Sequence, residues 1–153
     1  MSDDDLQAAI DSSLQHANPL ARRIYANHAW TASMVRRFVN GVMAATVATV
    51  RPDGRPHAAV TICGCLDGAF HFTVSDGSVL LRNLERQPAV AITVTDREHD
   101  LTAMGDAARA GRVGELPDLV RRLSAAVTRG QFVPEGWDGW IYTLPPAKVF
   151  LSR

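Results

Sequence analysis

Residues 48–94 read ATVRPDGRPHAAVTICGCLDGAFHFTVSDGSVLLRNLERQPAVAITV, and this stretch decides the fold. Runs of β-branched and aromatic residues alternate here with short turn sequences. Pro52-Asp53-Gly54 and Leu66-Asp67-Gly68 each predict a tight hairpin, because glycine supplies the positive φ that such turns need. The stretch therefore predicts three antiparallel strands, at residues 42–51, 56–65 and 69–74.

The residues after the third strand predict a short helix and further strands. Ser75-Asp76-Gly77-Ser78 breaks the strand, and residues 78–86 have helical spacing up to Pro88. Strands are predicted at 89–95, 101–113 and 140–151, the last interrupted by Pro145-Pro146. Apolar residues at offsets of 3, 4 and 7 predict a second helix at 116–127, which Gly130 can cap, followed by a loop over 131–139.

The N-terminal part of the chain has a helical rather than a strand pattern. We predict an N-terminal helical extension over residues 1–41, with helix from 4 to 39 interrupted at Asn18-Pro19. Residues 42–153 then form the β domain, in one globular unit overall. Six short antiparallel strands bury their edges best by closing on themselves, so the fold class is mainly β, a six-stranded antiparallel barrel with flanking helices.

Composition limits the function classes. The chain has 153 residues, 46% of them hydrophobic, and equal numbers of acidic and basic residues. Without a basic field, nucleic acid and membrane are not expected as partners. The acidic start and the lack of a long apolar segment predict a cytoplasmic protein. Cys63 and Cys65 lie in an apolar run where neither a disulfide nor a metal site is expected.

Several short motifs, in this order and spacing, resemble the pyridoxamine-phosphate-oxidase-like, flavin-binding split β-barrels. The resemblance covers residues 42–113. It is carried by the hairpin Arg51–Pro56, the strand end Phe72–Val74, the segment Ser78–Leu84, the step Asn83–Pro88 and the Gly105-Asp106-Ala107 bend. The resemblance implies a homodimer with FMN at the subunit interface, lying along the second and third strands with its phosphate at the following helix. A deazaflavin coenzyme and haem are the alternative cofactors.

The resemblance and the residue types together give a set of candidate cofactor-binding residues. A helix N-terminus favours anions, Ser75 and Ser78 add hydroxyl groups, and Arg82 lies one helical turn after Ser78. On the second strand His57, Ala59 and Thr61 share one face, and Ala58, Val60 and Ile62 share the other, so one set is expected beneath the ring. The full set is His57, Ala59, Val60, Thr61, Thr73, Val74, Ser75, Ser78, Arg82, Asn83, Trp137 and Trp140.

Simpler interpretations of these residues stay open. Ser75, Ser78 and Arg82 can equally belong to an ordinary capped helix with a solvated arginine. Trp137 and Trp140 can pack in the core or in a dimer interface instead of stacking on a ring. No residue is assigned a catalytic role.

One position departs from the family pattern. Many members carry Lys or Arg two residues after the helix serine, where this chain has Leu80. The leading hypothesis is a flavin-dependent oxidoreductase that transfers a hydride between bound FMN, or a deazaflavin coenzyme, and a small organic substrate. The alternatives are a non-catalytic flavin- or haem-binding module and a cofactor-free barrel recruited to specialised biosynthesis. Hydrolase and kinase motifs are absent from the sequence.

Overall fold

The computed structural model describes residues 1–25 and 30–152. Its helices are α1 (Asp3–Gln15), α2 (Pro19–Tyr25), α3 (Ala32–Val42), α4 (Val79–Arg86) and α5 (Pro117–Ala126), with a 3-10 turn at Val113–Glu115. Its strands are β1 (Ala44–Val50), β2 (Pro56–Leu66), β3 (Ala69–Val74), β4 (Ala89–Thr95), β5 (Asp100–Asp106), β6 (Ala108–Arg112), β7 (Trp140–Leu144) and β8 (Lys148–Ser152).

The strands form one curled antiparallel sheet in the order β6-β7-β3-β2-β1-β4-β5-β8. This architecture, mainly β with flanking helices, confirms the predicted split-barrel fold class. The predicted number of six strands was wrong, since the described part of the chain forms eight. The strand expected at 101–113 is β5 and β6, and the strand expected at 140–151 is β7 and β8.

The extra strands arise where the chain crosses from one end of the sheet order to the other. This happens at Ala107, between β5 and β6, and again at residues 145–147, between β7 and β8. The two crossings touch: a Cβ on Gly105 would lie 2.9 Å from the carbonyl oxygen of Pro145. The Ala147 N–H also donates to the Met104 carbonyl oxygen at 2.8 Å. Glycine at position 105 therefore allows the two crossings to pack against each other.

The two hairpins form as the turn residues predict. In the first, Gly54 has φ +85° and the Arg51 N–H donates to the Arg55 carbonyl oxygen at 2.9 Å. In the second, Asp67 and Gly68 have φ values of +51° and +76°. These positive values match the type of two-residue hairpin turn that aspartate and glycine favour. The short helix before Pro88 is also confirmed, as α4.

The N-terminal helices pack against the barrel. Helix α1 lies against β8 and α3 lies against β2. Their apolar side chains join the barrel core that holds Phe70 and Phe72; the buried ones are Leu6, Ile10, Val35 and Val39. None of the helices in residues 1–25 and 30–152 is long and apolar enough to cross a membrane.

Three predicted boundaries in the helical parts change. Helix α3 continues to Val42 and ends at Met43, which has φ +59°, so β1 begins at Ala44 and not at Val42. Helix does not run unbroken from 21 to 39, since Thr31 is the N-cap of α3; residues 26–29 of that prediction lie outside the described residues. Gly130 does not cap α5, because the backbone becomes extended at Val127, whose side chain is buried.

Candidate functional site

The candidate site lies where two neighbouring strands separate. Strand β2 pairs with β1 over residues 56–62, but it pairs with β3 only from Cys63 to Leu66. Strand β3 pairs with β7 along its other edge, over residues 70–74. Within the described part of the chain, the first half of β2 therefore has one edge without a partner strand, and its backbone groups at this edge can bind a ligand.

Two threonines bridge the point of separation. The Thr61 hydroxyl donates to the Thr73 carbonyl oxygen, and the Thr61 and Thr73 Oγ1 atoms are 2.6 Å apart. Both residues were predicted to bind a cofactor. Their hydroxyl groups lie at the inner end of the gap, next to the Cys63–Phe72 pair at which the pairing of β2 with β3 stops.

A cleft of about 320 Å³ opens along this gap. Its walls come from β2, from the end of β3, from the start of α4 and from the loop that precedes β7. The lining residues are Ala59, Val60, Thr61, Ile62, Thr73, Ser75, Ser78, Leu80, Pro134 and Trp137. Seven of the twelve predicted cofactor-binding residues are thus brought together.

Residues from both faces of β2 line the cleft, although the alternation predicted a single face. Ala59 and Thr61 lie on one face, and Val60 and Ile62 lie on the other. The reason is that the cleft runs along the open edge of the strand, which side chains of both faces flank. Sequence alternation assigns a residue to a face, but it does not show which edge lacks a neighbour.

The start of α4 forms one end of the cleft. Ser78 is the N-cap of this helix, and its Oγ accepts a hydrogen bond from the Leu81 N–H at 3.0 Å. The first N–H groups of a helix have no carbonyl partner one turn earlier, and the helix dipole makes this end positive. Together with the hydroxyl group of Ser75, this end of the cleft suits an anionic group such as phosphate.

The candidate cation for this end is Arg82. Arg82 is exposed on α4, and its side chain makes no ion pair or hydrogen bond with the residues that the structure describes. Leu80 is only 4% exposed and lines the cleft, so the position where the family resemblance predicts a basic residue is an apolar wall here. The cleft can therefore offer two serine hydroxyls and a helix N-terminus to an anion, and Arg82 on the same helix is a cation whose side chain has no other partner among the described residues.

The loop before β7 forms the opposite wall. Phe132 is buried in a second apolar cluster under α5, and its N–H donates to Ser124 Oγ at 3.1 Å. The Trp137 ring lies directly over Gly139, where a Cβ would be 2.3 Å from the ring. Glycine at 139 therefore lets the half-buried indole rest against the backbone while its other side lines the cleft.

Five of the predicted residues lie outside the cleft lining. Val74 is 1% exposed and belongs to the barrel core. Asn83 is 2% exposed, and its Nδ2 donates to Thr49 Oγ1 at 3.0 Å, because α4 turns this side chain towards β1. Trp140 Nε1 donates to Asp76 Oδ1 at 2.8 Å. Arg82, described above, flanks the cleft from the surface of α4, and His57 is the fifth.

His57 carries an unused hydrogen-bonding group. It lies on β2, two residues before Ala59, and its Nδ1 is buried without a hydrogen-bond partner among the described residues. A buried polar atom without a partner is costly, so such atoms commonly mark a place where a ligand or water binds.

Three lining residues were absent from the predicted set: Ile62, Leu80 and Pro134. Their apolar side chains give no chemical signal in the sequence, and only the folded chain brings them to one cavity. Among residues 1–25 and 30–152, no three histidine, cysteine or acidic side chains lie close enough to hold a metal ion.

A second concave surface lies on the outer face of the sheet. It is a groove of about 510 Å³ across β1, β4 and β5, lined mainly by small or apolar side chains. We call it the outer-face groove; it is lined by Ala48, Thr49, Val50, Pro56, Ala89, Val90, Ala91, Met104, Gly105, Asp106, Ala147 and Lys148.

Comparisons with known proteins agree with this geometry. The family model described as Pyridoxamine 5'-phosphate oxidase matches residues 32–135, which include β2, β3, α4 and most of the cleft. No curated protein matches the chain.

Several solved structures share the fold. A heme binding protein from Mycobacterium smegmatis is 26% identical, with a TM-score of 0.57; the match covers 74% of this chain and 50% of that protein. A conserved hypothetical protein from Mycobacterium tuberculosis is 19% identical, with a TM-score of 0.67, and the match covers 83% and 87%. An F420 reductase is 22% identical, with a TM-score of 0.54, and the match covers 73% and 92%. The chain thus spans half the length of the heme binding protein.

Proposed function

Because the chain belongs to the pyridoxamine 5'-phosphate oxidase family, we propose that its cleft binds a flavin-type cofactor and that the protein is an oxidoreductase. The cofactor is FMN or a deazaflavin coenzyme, and it exchanges a hydride with a small organic substrate. The observation that carries this proposal is the cleft itself, where an open strand edge, hydroxyl groups and a helix N-terminus converge.

The residues at the start of α4 fit a phosphate group. The hydroxyls of Ser75 and Ser78 and the first N–H groups of α4 donate to its oxygens, and Arg82 supplies the positive charge. Arg82 is free to do so, since its guanidinium has no other partner among the described residues.

The rest of the cleft fits a flat, partly polar ring. Ala59 leaves room beside the strand, and the open edge of β2 presents backbone donors and acceptors. His57 Nδ1 and the Thr61–Thr73 hydroxyl pair are further hydrogen-bonding groups. Trp137 and Pro134 form an apolar wall that keeps water from one side of the ring. A bound flavin supplies two-electron redox chemistry, so the protein needs to bind, orient and shield it.

The choice between FMN and a deazaflavin coenzyme depends on Leu80. A phosphate monoester carries close to two negative charges at neutral pH, whereas a phosphodiester carries one. Arg82, the cation proposed for this site, matches one negative charge better than two. This favours a coenzyme with a phosphodiester tail, such as F420, and the similarity to an F420 reductase agrees with that preference.

A second candidate is a haem-binding module. It is supported by the similarity to the heme binding protein, which has the highest identity of the three structures described above. In that case the apolar wall formed by Leu80 and Trp137 receives the ring, and no redox turnover is expected.

We also propose that the protein is a homodimer joined through the outer-face groove. Soluble monomers rarely expose a continuous apolar surface of this kind. Val60 and Val50 are 76% and 41% exposed on this side of the sheet, and among the described residues only Asp106 and Lys148 bring charged side chains to the groove. Ala91→Glu would place a charge in its centre. Light scattering should then detect a dimer for the wild type and a monomer for Ala91→Glu; a monomeric wild type at micromolar concentration excludes the dimer.

We further propose a cytoplasmic location. Cys63 and Cys65 are both buried free thiols, which is typical of proteins in a reducing compartment.

The experiment that tests the cofactor assignment combines mass spectrometry with titration. Mass spectrometry of the purified protein should identify a co-purifying flavin, deazaflavin or haem. In titrations, Arg82→Ala should raise the dissociation constant for FMN about tenfold or more, because a hydrogen bond to a charged group contributes about 1.5–3 kcal/mol.

Two controls accompany this experiment. Arg121→Ala removes an exposed arginine on α5, distant from the cleft lining, and should leave FMN binding unchanged. Riboflavin, which lacks the phosphate, should bind equally to the wild type and to Arg82→Ala. A protein that binds no flavin, deazaflavin or haem excludes the proposed function and leaves the cofactor-free barrel as the remaining alternative.

A further inference from the structure

A cluster of charged and aromatic side chains holds the loop between β3 and α4. Asp76, in this loop, accepts hydrogen bonds from Arg112 Nη1 at 2.9 Å and Nη2 at 3.2 Å, and from Trp140 Nε1 at 2.8 Å. Arg112 is on β6 and Trp140 is on β7, so three separate elements meet at one carboxylate.

A second arginine, Arg109, packs over the ring of the same tryptophan. The guanidinium carbon atoms of Arg109 and Arg112 lie 4.1 and 4.3 Å from the centre of the Trp140 ring. Arg109 also donates to Glu85 on α4 at 2.6 Å. The β6–β7 surface is therefore tied both to the loop before α4 and to α4 itself. These contacts explain why Trp140 lies outside the cleft, although the sequence predicted it in the cofactor site.

The position of Asp76 matters for an anionic ligand. It lies between Ser75 and Ser78, which both line the cleft. The hydrogen bonds from Arg112 and Trp140 hold the pKa of Asp76 below its ordinary value, so the carboxylate is ionised at neutral pH. A free negative charge at this place would repel phosphate, whereas a charge that is paired and turned towards β6 would not.

We propose that Arg112 and Trp140 are positioning residues for the phosphate end of the cleft. Both side chains hydrogen-bond to the Asp76 carboxylate and hold it away from the cleft, and Arg112 also compensates its negative charge. The Ser75–Ser78 loop can therefore accept an anion. This inference rests on the proposed function, because it concerns the anionic part of the proposed cofactor.

The test is a double-mutant cycle with two ligands. Arg112→Ala, Asp76→Asn and the double variant are titrated with FMN and with riboflavin, which differ only in the phosphate. Arg112→Ala should weaken FMN binding by about tenfold, the effect of one uncompensated charge in a partly exposed setting. Riboflavin binding should change by less than about twofold. The double variant lacks the Asp76 carboxylate and keeps only the weaker Arg112 partner, Asp138, which lies 3.5 Å from Arg112 Nη1, so it should recover FMN binding.

A matched control is the Arg122–Asp67 pair. Arg122 Nη2 lies 2.9 and 2.7 Å from the two Asp67 oxygens, so this ion pair also joins two elements, and neither residue lines the cleft. Arg122→Ala should leave the ratio of FMN to riboflavin affinity unchanged.

The outcomes separate this inference from the proposed function. Equal weakening for FMN and riboflavin, or no recovery in the double variant, overturns the positioning role while the flavin site stands. A wild-type protein that binds no flavin and no deazaflavin coenzyme overturns the proposed oxidoreductase function, and this inference with it. Selective loss of FMN binding that the Asp76→Asn change restores supports both.

Discussion

Replacing Asn83 by alanine removes a buried hydrogen bond that fixes α4 on the barrel. Asn83 and Thr49 are 2% and 3% exposed, and the Asn83 Nδ2 group lies 3.0 Å from Thr49 Oγ1. Because α4 carries Ser78 at its start and Arg82 in its second turn, this bond also sets the geometry of the proposed phosphate site. The variant therefore tests whether Asn83 anchors the helix or binds the cofactor directly, as the sequence predicted.

The magnitude follows from the burial of both partners. Losing the hydrogen bond costs about 1 kcal/mol, and leaving the buried Thr49 hydroxyl without its partner adds about 1–3 kcal/mol. We expect the free energy of unfolding to fall by about 2–4 kcal/mol in the ligand-free protein. For a chain of this size that lowers the melting temperature by roughly 5–12 °C.

The assay is thermal and urea unfolding of the ligand-free protein, with Thr49→Val and the double variant Asn83→Leu/Thr49→Val as controls. Replacing both polar partners by apolar side chains of similar shape is nearly neutral. The double variant should therefore unfold within about 1 kcal/mol of the wild type. If Asn83→Ala leaves the unfolding free energy unchanged and only weakens FMN binding, the anchoring role is refuted and Asn83 belongs to the cofactor site.

Three further predictions concern other parts of the molecule. Burial lowers the pKa of His71 below 6.5, so the unfolded chain binds a proton first as the pH falls. Unfolding free energy should therefore decrease below about pH 6.5, and His71→Gln should flatten this dependence. Burial raises the pKa of Cys63, and it raises that of Cys65 to about 12; neither thiol should react with iodoacetamide until the protein unfolds, which mass spectrometry can follow. Gly139→Ala should displace the Trp137 ring, costing about 1–3 kcal/mol of stability and shifting the tryptophan fluorescence to longer wavelength; an unchanged spectrum would contradict the packing described here.

Local sequence patterns were sufficient for the elements that depend on local interactions. The two hairpins follow from turn residues that adopt positive φ, and α4 follows from its serine cap and the proline after it. Seven predicted site residues also line the cleft, because the family resemblance places a ligand where β3 meets α4.

Features that depend on distant parts of the chain could not be predicted in this way. The pairing of distant strands decides where β2 stops pairing with β3. The close contact at Gly105 decides where each of the last two predicted strands divides in two. Asn83 and Trp140 are polar or aromatic residues next to the site in sequence, but their partners are Thr49 and Asp76. Because these partners lie 34 and 64 residues away in the sequence, no local sequence pattern predicts the two hydrogen bonds.

The central claim is that a phosphate-bearing flavin or deazaflavin binds at the gap between β2 and β3. The most direct measurement is a titration of isotope-labelled protein with FMN and with F420, followed by amide chemical shifts. We predict saturable shifts concentrated at residues 59–62, 73–80 and 134–137. Shifts confined to the outer-face groove, or no saturable shifts with either ligand, would contradict the claim.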